Sequence, residues 1–373
     1  MILRELEQVI NGKIHSGKVI ILLGPRQAGK TTLLNKIIKQ NNENVLMLNA
    51  DDPTVLQLLD RPNSVEIENI IGENSIVLID EAQRVHEIGI TAKIIADQFK
   101  HVQLIMSGSS SFELTQHTNE PLTGRKWTYK LWPISWNEWQ NHVGYLKSEQ
   151  DLENRLVLGF YPDVLNNPTN STEVLSELTD SYLYKDILMY SNLKKPLGIK
   201  KLLQALAYQV GNEVSLRELS EIVGIDPKTI DKYIDVLEKS FVVFRLNPLS
   251  RNLRNEIKTN RKIYFYDNGI RNSIIGQLQA LSVRNDAGQL WENFLMSERV
   301  KRIHYSRLIV NTYFWRTNRQ QEIDYVEEIN GSFYAYEFKW NPKRKVRFPD
   351  NFTKSYDAET KIISRNNYRE LIG

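Results

Sequence analysis

The chain has 373 residues, enough for about two to four compact domains, and its 41% hydrophobic and 25% charged residues are typical of soluble globular proteins. Lysine and arginine exceed aspartate and glutamate by only 48 to 45, so the net charge does not by itself indicate a polyanionic partner. Cysteine is absent, the six histidines show no metal-ligand spacing, and no apolar stretch approaches the roughly 20 residues that cross a bilayer; we therefore expect a cytoplasmic protein without disulfides, cysteine-based zinc sites or a membrane segment.

Four apolar runs alternate with helix-length segments in the first part of the chain. The runs are Val19–Leu23, Val45–Leu48, Ile76–Ile79 and Val102–Met106. Alternation of buried strands with amphipathic segments is typical of a parallel sheet with crossover helices. We therefore predict an α/β fold for the first part of the chain, up to about residue 140.

The segment GPRQAGKT follows the first predicted strand and precedes a helical apolar pattern. It satisfies G-x-x-x-x-G-K-[ST], in which a strand-to-helix turn aims backbone N–H groups and a helix dipole at one point. We predict that this loop binds ATP, with Lys30 on the β- and γ-phosphates and Thr31 on Mg²⁺, whereas the alternative is a glycine-punctuated turn. The predicted binding residues are Gly24, Pro25, Arg26, Gln27, Ala28, Gly29, Lys30, Thr31 and Thr32.

The third predicted strand, in SIVLIDEAQ, ends in two acidic residues. Beside the first strand, Asp80 would hold the Mg²⁺ shell while Glu81 orients and deprotonates the water that attacks the γ-phosphate. The alternative for the pair is a helix N-cap after a core strand. The alternative activity is a P-loop kinase, but no second substrate pocket is evident and the acidic pair favours water as the acceptor.

Hydroxyl residues end the fourth predicted strand, and an arginine follows farther along. Ser107 in HVQLIMSGSS would lie between the two motifs and sense the γ-phosphate, and Ser109 is the alternative. Arg125 in LTGR is a candidate arginine finger, which would stabilise transition-state charge in a neighbouring subunit. The finger requires a homo-oligomer, whereas an ordinary surface arginine requires none.

The strand signal disappears between residues 146 and 210. Apolar residues there recur at helical spacing, at positions Leu152, Leu156, Leu175, Leu178, Leu183, Ile187, Leu202 and Leu206. We predict that this part of the chain is all-helical.

Two capped helices, followed by a β-rich run, are predicted within residues 214–246. Ser215 and Glu218 form a capping box, and Asp226 and Pro227 begin the second helix. This is a helix-turn-helix pattern, for which the run FVVFRL would form a wing. The outward residues of the second helix are Lys228, Thr229, Asp231, Lys232 and Asp235.

The mixed charge of that helix leaves DNA binding and protein docking as alternatives, because a groove reader should be mostly basic. The stretch SRNLRNEIKTNRK, residues 250–262, is the best candidate for a linker or wing. Basic residues nearby that would contact phosphates are Arg251, Arg254, Lys258, Arg261 and Lys262.

Strands return from about residue 260, in KIYFYD, YFWR, EIDYVEEI and SFYAYEF. The last two runs flank Asn330-Gly331, the strongest short signal for a hairpin. A two-residue turn there would set Asp324 directly opposite Glu337 on one face of the sheet, with Lys339 on the same face. Two opposed carboxylates destabilise a hairpin, so this arrangement favours a cation between them.

Asp324, Glu337 and Lys339 match the D…E-x-K pattern of restriction-endonuclease-like sites, in which the carboxylates hold Mg²⁺ and the lysine positions the attacking water. Glu292 in LWENF would be a further acidic ligand of the metal. The alternative pairs Glu322 with Lys339 in a surface salt bridge. The run KWNPKRKVRF would add a basic patch for a phosphate backbone, unless it is a solvated loop.

Several of these segments occur together in one known family. They are GPRQAGKTTLL, IVLIDEAQ, SGSSSFEL, LTGR, LWPISWNEW, GFYPDVL, YFYDNGIRN, LWENF, YFWR and YEFKW. Across nearly the whole chain, the sequence resembles the prokaryotic AAA-type ATPases with a C-terminal domain of unknown function. The resemblance assigns Walker A to Gly24, Gly29, Lys30 and Thr31, and Walker B to Asp80 and Glu81.

The same resemblance implies a fold class, α/β, in four parts. These are an AAA+ P-loop core with a parallel sheet over residues 1–145, a helical lid over 146–210, a winged helix over 211–250 and an α/β endonuclease-like domain over 251–373.

Two functions are compatible with these features. The first is an Mg²⁺-dependent ATPase whose nucleotide state controls a DNA-binding or DNA-cleaving C-terminal half. The second is a slow ATP-dependent switch or scaffold whose inactive terminal domain binds a protein partner, because nuclease-like domains also persist without activity.

Overall fold

A computed structural model of the chain describes residues 1–41, 43–109, 118, 120–183, 196–249, 261–317, 319, 321–344 and 346–373. The chain divides into two compact units. Unit 1 comprises Met1–Ile134 and Lys239–Phe241, and unit 2 comprises Ser135–Glu238 and Val242–Gly373. In the ranges just given, no helix has the length and apolar character needed to span a membrane.

Unit 1 is a parallel α/β domain, as the alternating pattern predicts. Its strands are β1 (Val19–Leu23), β2 (Val45–Asn49), β3 (Ile76–Asp80), β4 (Gln103–Gly108) and β5 (Lys126–Lys130). Its helices are α1 (Leu6–Asn11), α2 (Lys30–Asn41), α3 (Pro53–Leu59), α4 (Ser64–Ile71) and α5 (Ile88–Gln98), with a 3₁₀ turn at Ala82–Arg84.

The five strands form one sheet in the order β2-β3-β4-β1-β5, and every pairing is parallel. All five residues of β1 are buried, which explains its uninterrupted VIILL sequence. The four predicted strands are therefore confirmed. β5 was not predicted, although polar and aromatic residues alternate in its KWTYK sequence as they do in a half-buried strand.

Unit 2 begins with helices, as predicted from the leucine spacing; of the positions named for that prediction, Ile187 lies outside the described residues. They are α6 (Trp136–Val143), α7 (Tyr145–Leu158), α8 (Pro162–Asn166), α9 (Ser171–Glu177), a π-helical turn (Leu178–Leu183) and α10 (Pro196–Tyr208). Then come β6 (Glu213–Val214), α11 (Leu216–Val223), α12 (Pro227–Lys239), β7 (Val243–Pro248) and β8 (Arg261–Phe265). The remaining elements are α13 (Asn268–Ile274), a 3₁₀ turn (Leu281–Val283), α14 (Ala287–Tyr305), β9 (Asn311–Arg316), β10 (Glu322–Ile329), β11 (Ser332–Phe338), α15 (Asp350–Tyr356), β12 (Glu359–Ile363) and α16 (Arg369–Ile372).

The seven strands of unit 2 form a single sheet in the order β12-β11-β10-β9-β7-β8-β6. The boundary that we predicted at residue 250 therefore does not separate two sheets. The run FVVFRL, which we predicted as a wing, supplies the first residues of β7, which pairs antiparallel with β8 and parallel with β9 and therefore lies inside the sheet.

The hairpin of β10 and β11 has the predicted register. Ile329 faces Ser332, and the turn residues Asn330 and Gly331 both have positive φ angles, of 51° and 83°. On one face of this sheet, apolar residues form a core cluster of Trp315, Ile323, Val326, Ala335 and Phe352.

Candidate functional site

The loop between β1 and α2 is held against the end of β5. A Cβ on Gly24 would collide with the carbonyl oxygen of Leu131, so the chain passes too closely for any larger residue. Gly29, with φ +92°, turns the backbone into the first residue of α2. Arg4 connects the loop to the segment after β5. Its Nη1 donates to the Ala28 carbonyl at 2.7 Å and its Nη2 to the Trp132 carbonyl at 2.6 Å.

Lys30 is the first residue of α2, and its side chain folds back over the loop. Its ammonium donates to the carbonyls of Gly24 at 2.9 Å and Pro25 at 3.1 Å, and the residue is only 5% exposed. These two hydrogen bonds hold the Lys30 ammonium at the same loop whose backbone would bind a phosphate.

Three polar side chains meet where the strands of unit 1 end. Thr31 Oγ1 donates to Asp80 Oδ2 at 2.7 Å, and the Ser107 hydroxyl donates to Asp80 Oδ1. The contacts arise because β1, β3 and β4 are parallel neighbours, so that their carboxyl ends lie at one edge of the sheet. The structure therefore brings together Thr31, Asp80 and Ser107, as the sequence predicted.

Glu81 follows β3 in a left-handed backbone conformation, with φ 51° and ψ 37°. A non-glycine residue there is strained, and such strain concentrates at functional sites. Its carboxylate accepts hydrogen bonds from Gln83 Nε2 at 2.6 Å and from Ser109 Oγ at 3.2 Å. The alternative hydroxyl, Ser109, therefore contacts Glu81, whereas Ser107 contacts Asp80.

Arg125 lies at the other edge of the same sheet. It immediately precedes β5, and its carbonyl accepts from Val19 N at the start of β1. Its guanidinium is paired with Asp97, Nε to Oδ1 at 2.7 Å. Since β1 runs from this edge to the loop, Arg125 does not belong to the group of residues around Asp80.

The loop and the strand ends fit a nucleoside triphosphate with Mg²⁺. The start of the 12-residue helix α2 offers backbone amides and the positive end of its dipole. The hydroxyl of Thr31 and the carboxylate of Asp80 are hard oxygen ligands of the kind that Mg²⁺ prefers.

A second polar group lies on the sheet of unit 2. Lys339 Nζ donates to Asp324 Oδ2 at 3.1 Å and to Glu337 Oε2 at 2.6 Å, so the ammonium bridges the two carboxylates. Asp324 also accepts from the backbone N–H of Phe338 at 2.8 Å. The three side chains share one face of the hairpin, as predicted, and Lys339 does not pair with Glu322.

Burial, followed by the charge of Asp324, raises the pKa of Glu337 to about 7. Burial of Lys339 alone would lower the pKa of its ammonium, but the charges of Asp324 and Glu337 outweigh it and raise that pKa. The two carboxylates and the lysine therefore form one electrostatic unit.

Glu292 lies on α14, and its carboxylate contacts side chains of β8. Tyr264 OH donates to its Oε1 at 2.7 Å, and Lys262 Nζ lies 3.3 Å from the same atom. Burial first, and the charge of Asp324 in addition, raise the pKa of Glu292. Lys262 also pairs with Glu322 Oε1 at 2.6 Å, which gives Glu322 a partner other than Lys339.

The residues predicted to bind metal in unit 2 are thus each paired with a lysine. In the part of the chain that the structure describes, no three histidine, aspartate or glutamate side chains are arranged to hold a metal ion. The ammonium of Lys339 takes the place between Asp324 and Glu337 that a cation would take. A metal does not fit this arrangement of the side chains without displacing the ammonium.

The helix pair α11–α12 is capped largely as predicted. Ser215 Oγ accepts from Glu218 N at 3.0 Å and Asp226 Oδ1 from Thr229 N at 3.0 Å. The reciprocal half of the predicted capping box does not appear in the structure, in which the Glu218 carboxylate accepts from Gln209 Nε2 at 3.0 Å.

The acidic side of α12 faces an arginine rather than solvent alone. Arg245, on β7, lies 3.1 Å from Asp231, 2.5 Å from Asp235 and 2.9 Å from Glu238. Arg261 adds a second contact to Asp231 at 3.2 Å. Asp231 and Asp235, which we predicted on the outward, mixed-charge face of α12, are therefore paired with Arg245.

The basic segments differ in how far the structure describes them. Arg251, Arg254 and Lys258 lie outside the described residues. Residues 339–344 and 346–348 of the second basic run are described, and Arg347 is paired with Asp350 at 3.2 Å.

Sequence reasoning missed several residues that organise these sites. Arg4 and Arg245 act through partners on other elements, and no local pattern predicts them. Lys262 was predicted to contact phosphates, and this is corrected: the residue is 1% exposed and pairs with Glu292 and Glu322. Gln83 hydrogen-bonds to Glu81, two residues before it. Gln83 alone had a signal, since it follows the acidic pair in the quoted segment DEAQ.

Three family matches cover most of the chain. Residues 16–140 match the family described as AAA domain. Residues 149–280 match a domain of unknown function, DUF8612, and residues 287–371 match another, DUF4143.

Relatives with a similar extent occur in bacteria. An uncharacterized protein of Mycobacterium tuberculosis is 25% identical over 332 residues, which cover 87% of this chain and 71% of that protein. An uncharacterized protein of Haemophilus influenzae is 27% identical over 402 residues, covering 99% and 94% of the two chains.

Among solved structures, the Walker-type ATPase PABY2304 of Pyrococcus abyssi is similar in fold, with a TM-score of 0.51 and 14% identity. The match covers 74% of this chain and 96% of that one. Together with the parallel sheet and the loop after β1, these matches identify residues 16–140 as a P-loop domain of the AAA ATPase type.

Proposed function

We propose that the chain binds ATP with Mg²⁺ at the loop between β1 and α2 and hydrolyses it. The observation that carries the proposal is the contact of Thr31 and Ser107 with Asp80 beside the P-loop. The loop from Gly24 to Thr32 would hold the phosphates through its amides, with Lys30 turning from the loop carbonyls to the β- and γ-phosphates.

Mg²⁺, when bound, would neutralise part of the negative charge of the phosphates. Thr31 and Asp80 would hold it through their side-chain oxygens. Glu81 would accept a proton from a water whose oxygen attacks the γ-phosphorus, while the bond to the leaving ADP oxygen breaks. Gln83 and Ser109, which hydrogen-bond to the Glu81 carboxylate, are positioning residues for that base.

Ser107 would sense the γ-phosphate through Asp80, which it contacts directly. Arg125 is too far along the sheet to serve its own P-loop, so its role as a finger is a proposal for a second copy of the chain. That role requires the ion pair with Asp97 to open.

Nucleotide binding is tested with the full chain and Lys30→Ala. We expect ATP affinity to be lost in the variant, because the substitution removes the positive charge and the N–H donors of the Lys30 ammonium. An unchanged affinity would remove the phosphate-site assignment.

We propose further that the nucleotide state controls a C-terminal half that binds DNA. The order α10, β6, α11, α12, β7, β8 is the order expected of a winged helix, with residues 249–260 between the last two strands. The pairing of Asp231, Asp235 and Glu238 with Arg245 supports DNA over protein docking, because Lys228 and Lys232 are exposed at the start of α12 while the charges of these acids are offset by an arginine.

Cleavage of DNA by Asp324, Glu337 and Lys339 is one role for the terminal part of unit 2. A scaffold without cleavage that binds a protein partner is the second candidate, and the bridging ammonium of Lys339 favours it. Incubation of plasmid DNA with the full chain and Mg²⁺ or Mn²⁺, beside Asp324→Ala, separates the two. Nicking that the variant lacks supports cleavage, and intact plasmid in both supports the scaffold.

A further inference from the structure

A cavity of about 470 Å³ in unit 2 lies among residues that neither proposed site uses. Its lining includes Tyr208, Arg271, Gln279, Val283, Arg284 and Gln289. The volume lies within the roughly 300–1,000 Å³ of typical small-molecule pockets. The cavity adjoins the segment YFYDNGIRN, which the sequence singled out and to which neither site assigns a role.

Most of that segment has a structural task. Asp267 caps α13 by accepting from Ile270 N at 3.1 Å, and it also accepts from Phe160 N at 2.7 Å. Asn268 and Asn272 donate to backbone carbonyls of α7, those of Leu156 and Val157. These contacts fix α13 and leave Arg271 as the member of the segment that lines the cavity.

Arg271 is 3% exposed, and two of its three guanidinium nitrogens are engaged. Nε donates to the Ala207 carbonyl at 2.7 Å, and Nη1 donates to Asn272 at 2.9 Å and to Asp286 at 2.5 Å. Among the residues that the structure describes, no acceptor hydrogen-bonds to Nη2. This nitrogen is not fully buried but is open to the cavity, so it can donate to an anionic ligand there.

The charge of the lining favours the same partner. Arg284 donates to both oxygens of Asp286, Nε to Oδ1 at 2.8 Å and Nη2 to Oδ2 at 2.7 Å. Two guanidiniums therefore share one carboxylate, which leaves one net positive charge. Asp286 precedes the 19-residue helix α14 without capping it through its side chain, so the first-turn amides add the positive end of a helix dipole.

The rest of the lining suits a planar body. Tyr208 is 61% exposed and Val283 is 73% exposed, so a ring and an apolar surface are open to a ligand. Gln279 and Gln289 offer amide groups of the kind that pair with the edges of nucleobases. A tyrosine ring can stack on any nucleobase, because every base has a π-face.

We propose that this cavity binds a small phosphorylated molecule with a planar body, of the size of a mononucleotide. Its phosphate contacts Arg271 Nη2 and the first turn of α14, and its planar body lies against Tyr208. The site is distinct from the P-loop and does not depend on ATP hydrolysis.

The test uses the full chain, with uridine monophosphate, ribose 5-phosphate and inorganic phosphate as probes. Calorimetry gives the affinity, and hydrogen exchange locates the binding. We expect uridine monophosphate to bind most tightly and to protect peptides covering residues 277–289. Protection confined to residues 24–32, or equal affinities for the three probes, would overturn the proposal.

Charge variants at Val283 keep the test independent of folding, because this side chain is largely exposed. Val283→Glu should weaken uridine monophosphate about fivefold or more, and Val283→Lys should strengthen it by a similar factor. Val65→Glu, at a position that is 64% exposed on α4, is the matched control and should change nothing. Arg271→Lys should weaken the binding of uridine monophosphate about tenfold. If none of the variants at Val283 and Arg271 changes the affinity for uridine monophosphate, the proposed site is refuted.

Discussion

Thr31 Oγ1 donates to Asp80 Oδ2 at 2.7 Å, which joins the first turn of α2 to the end of β3 across 49 positions of sequence. The contact sets two hard oxygen ligands side by side before any nucleotide arrives. Preorganised ligands lose less conformational freedom on binding, so this pair should contribute to the Mg²⁺ dependence that we propose for ATP binding.

Thr31→Val removes the hydroxyl and keeps the volume. We expect the affinity for ATP in the presence of Mg²⁺ to fall about tenfold or more, while the affinity in excess chelator changes little. Titration with a fluorescent ATP analogue measures both. Thr54→Val, at an exposed position on α3, serves as the control, and a similar loss with and without Mg²⁺ would contradict a metal role for Thr31.

Gly24→Ala should disrupt the loop itself, because the added methyl would collide with the Leu131 carbonyl. We expect nucleotide binding to be lost and the free energy of unfolding to fall by about 1–3 kcal/mol. Gly12→Ala is the control, since its φ of −69° and the nearest atom at 3.5 Å accept a methyl group. The measurement is urea unfolding followed by tryptophan fluorescence. If the close approach of Gly24 to Leu131 were unimportant, Gly24→Ala and Gly12→Ala would have equal stabilities.

Glu81→Gln and Gln83→Leu should separate the proposed base from its positioning residue. The first variant should retain ATP while turnover falls to background. Because Gln83 Nε2 donates to Glu81 Oε2 at 2.6 Å, the second should lower kcat about tenfold with KM unchanged and shift the pH dependence of kcat. Steady-state phosphate release across a pH series is the measurement, and wild-type rates in Glu81→Gln would reassign the base.

Glu337 should titrate near neutrality. Burial and the charge of Asp324 raise its pKa from 4.5 to about 7. Because the folded chain then binds this proton more tightly than the unfolded chain, the stability it contributes is complete below about pH 4.5 and is lost as pH rises through about 7. Carboxyl ¹³C NMR should show a glutamate with a midpoint of about 7 that disappears in Glu337→Gln and persists in Glu173→Gln.

The same titration with added Mg²⁺ distinguishes the two roles of the terminal site. A cation between Asp324 and Glu337 would displace the Lys339 ammonium and move the midpoint to lower pH. An unchanged midpoint would favour the scaffold.

Lys228→Ala combined with Lys232→Ala should weaken binding of duplex DNA without regard to sequence. Removing two phosphate contacts should reduce the slope of log affinity against log salt by about 2. Fluorescence anisotropy at several salt concentrations measures the slope. Lys147→Ala, at an exposed position on α7, is the control, and an unaltered slope in the double variant would exclude α12 as the DNA-binding face.

The sequence alone determined the local features of the chain. Gly24, Gly29 and Lys30 follow an apolar strand at a fixed spacing, and Asn330-Gly331 sets the hairpin register, because both depend on backbone conformations that only a few residue types adopt. β1, β3 and β4 were equally predictable, since strands covered on both faces need uninterrupted apolar side chains. β2 also has an apolar run, although it is the edge strand and is partly exposed.

Only the tertiary structure decided which charges are free. In the sequence, Asp231 and Asp235 made α12 a mixed-charge helix, but Arg245 on β7 pairs with both. Lys339 was expected beside a metal and instead bridges Asp324 and Glu337. The physical reason is that an ion pair depends on distance between elements and on burial, and neither is encoded in the spacing of residues along one strand or helix.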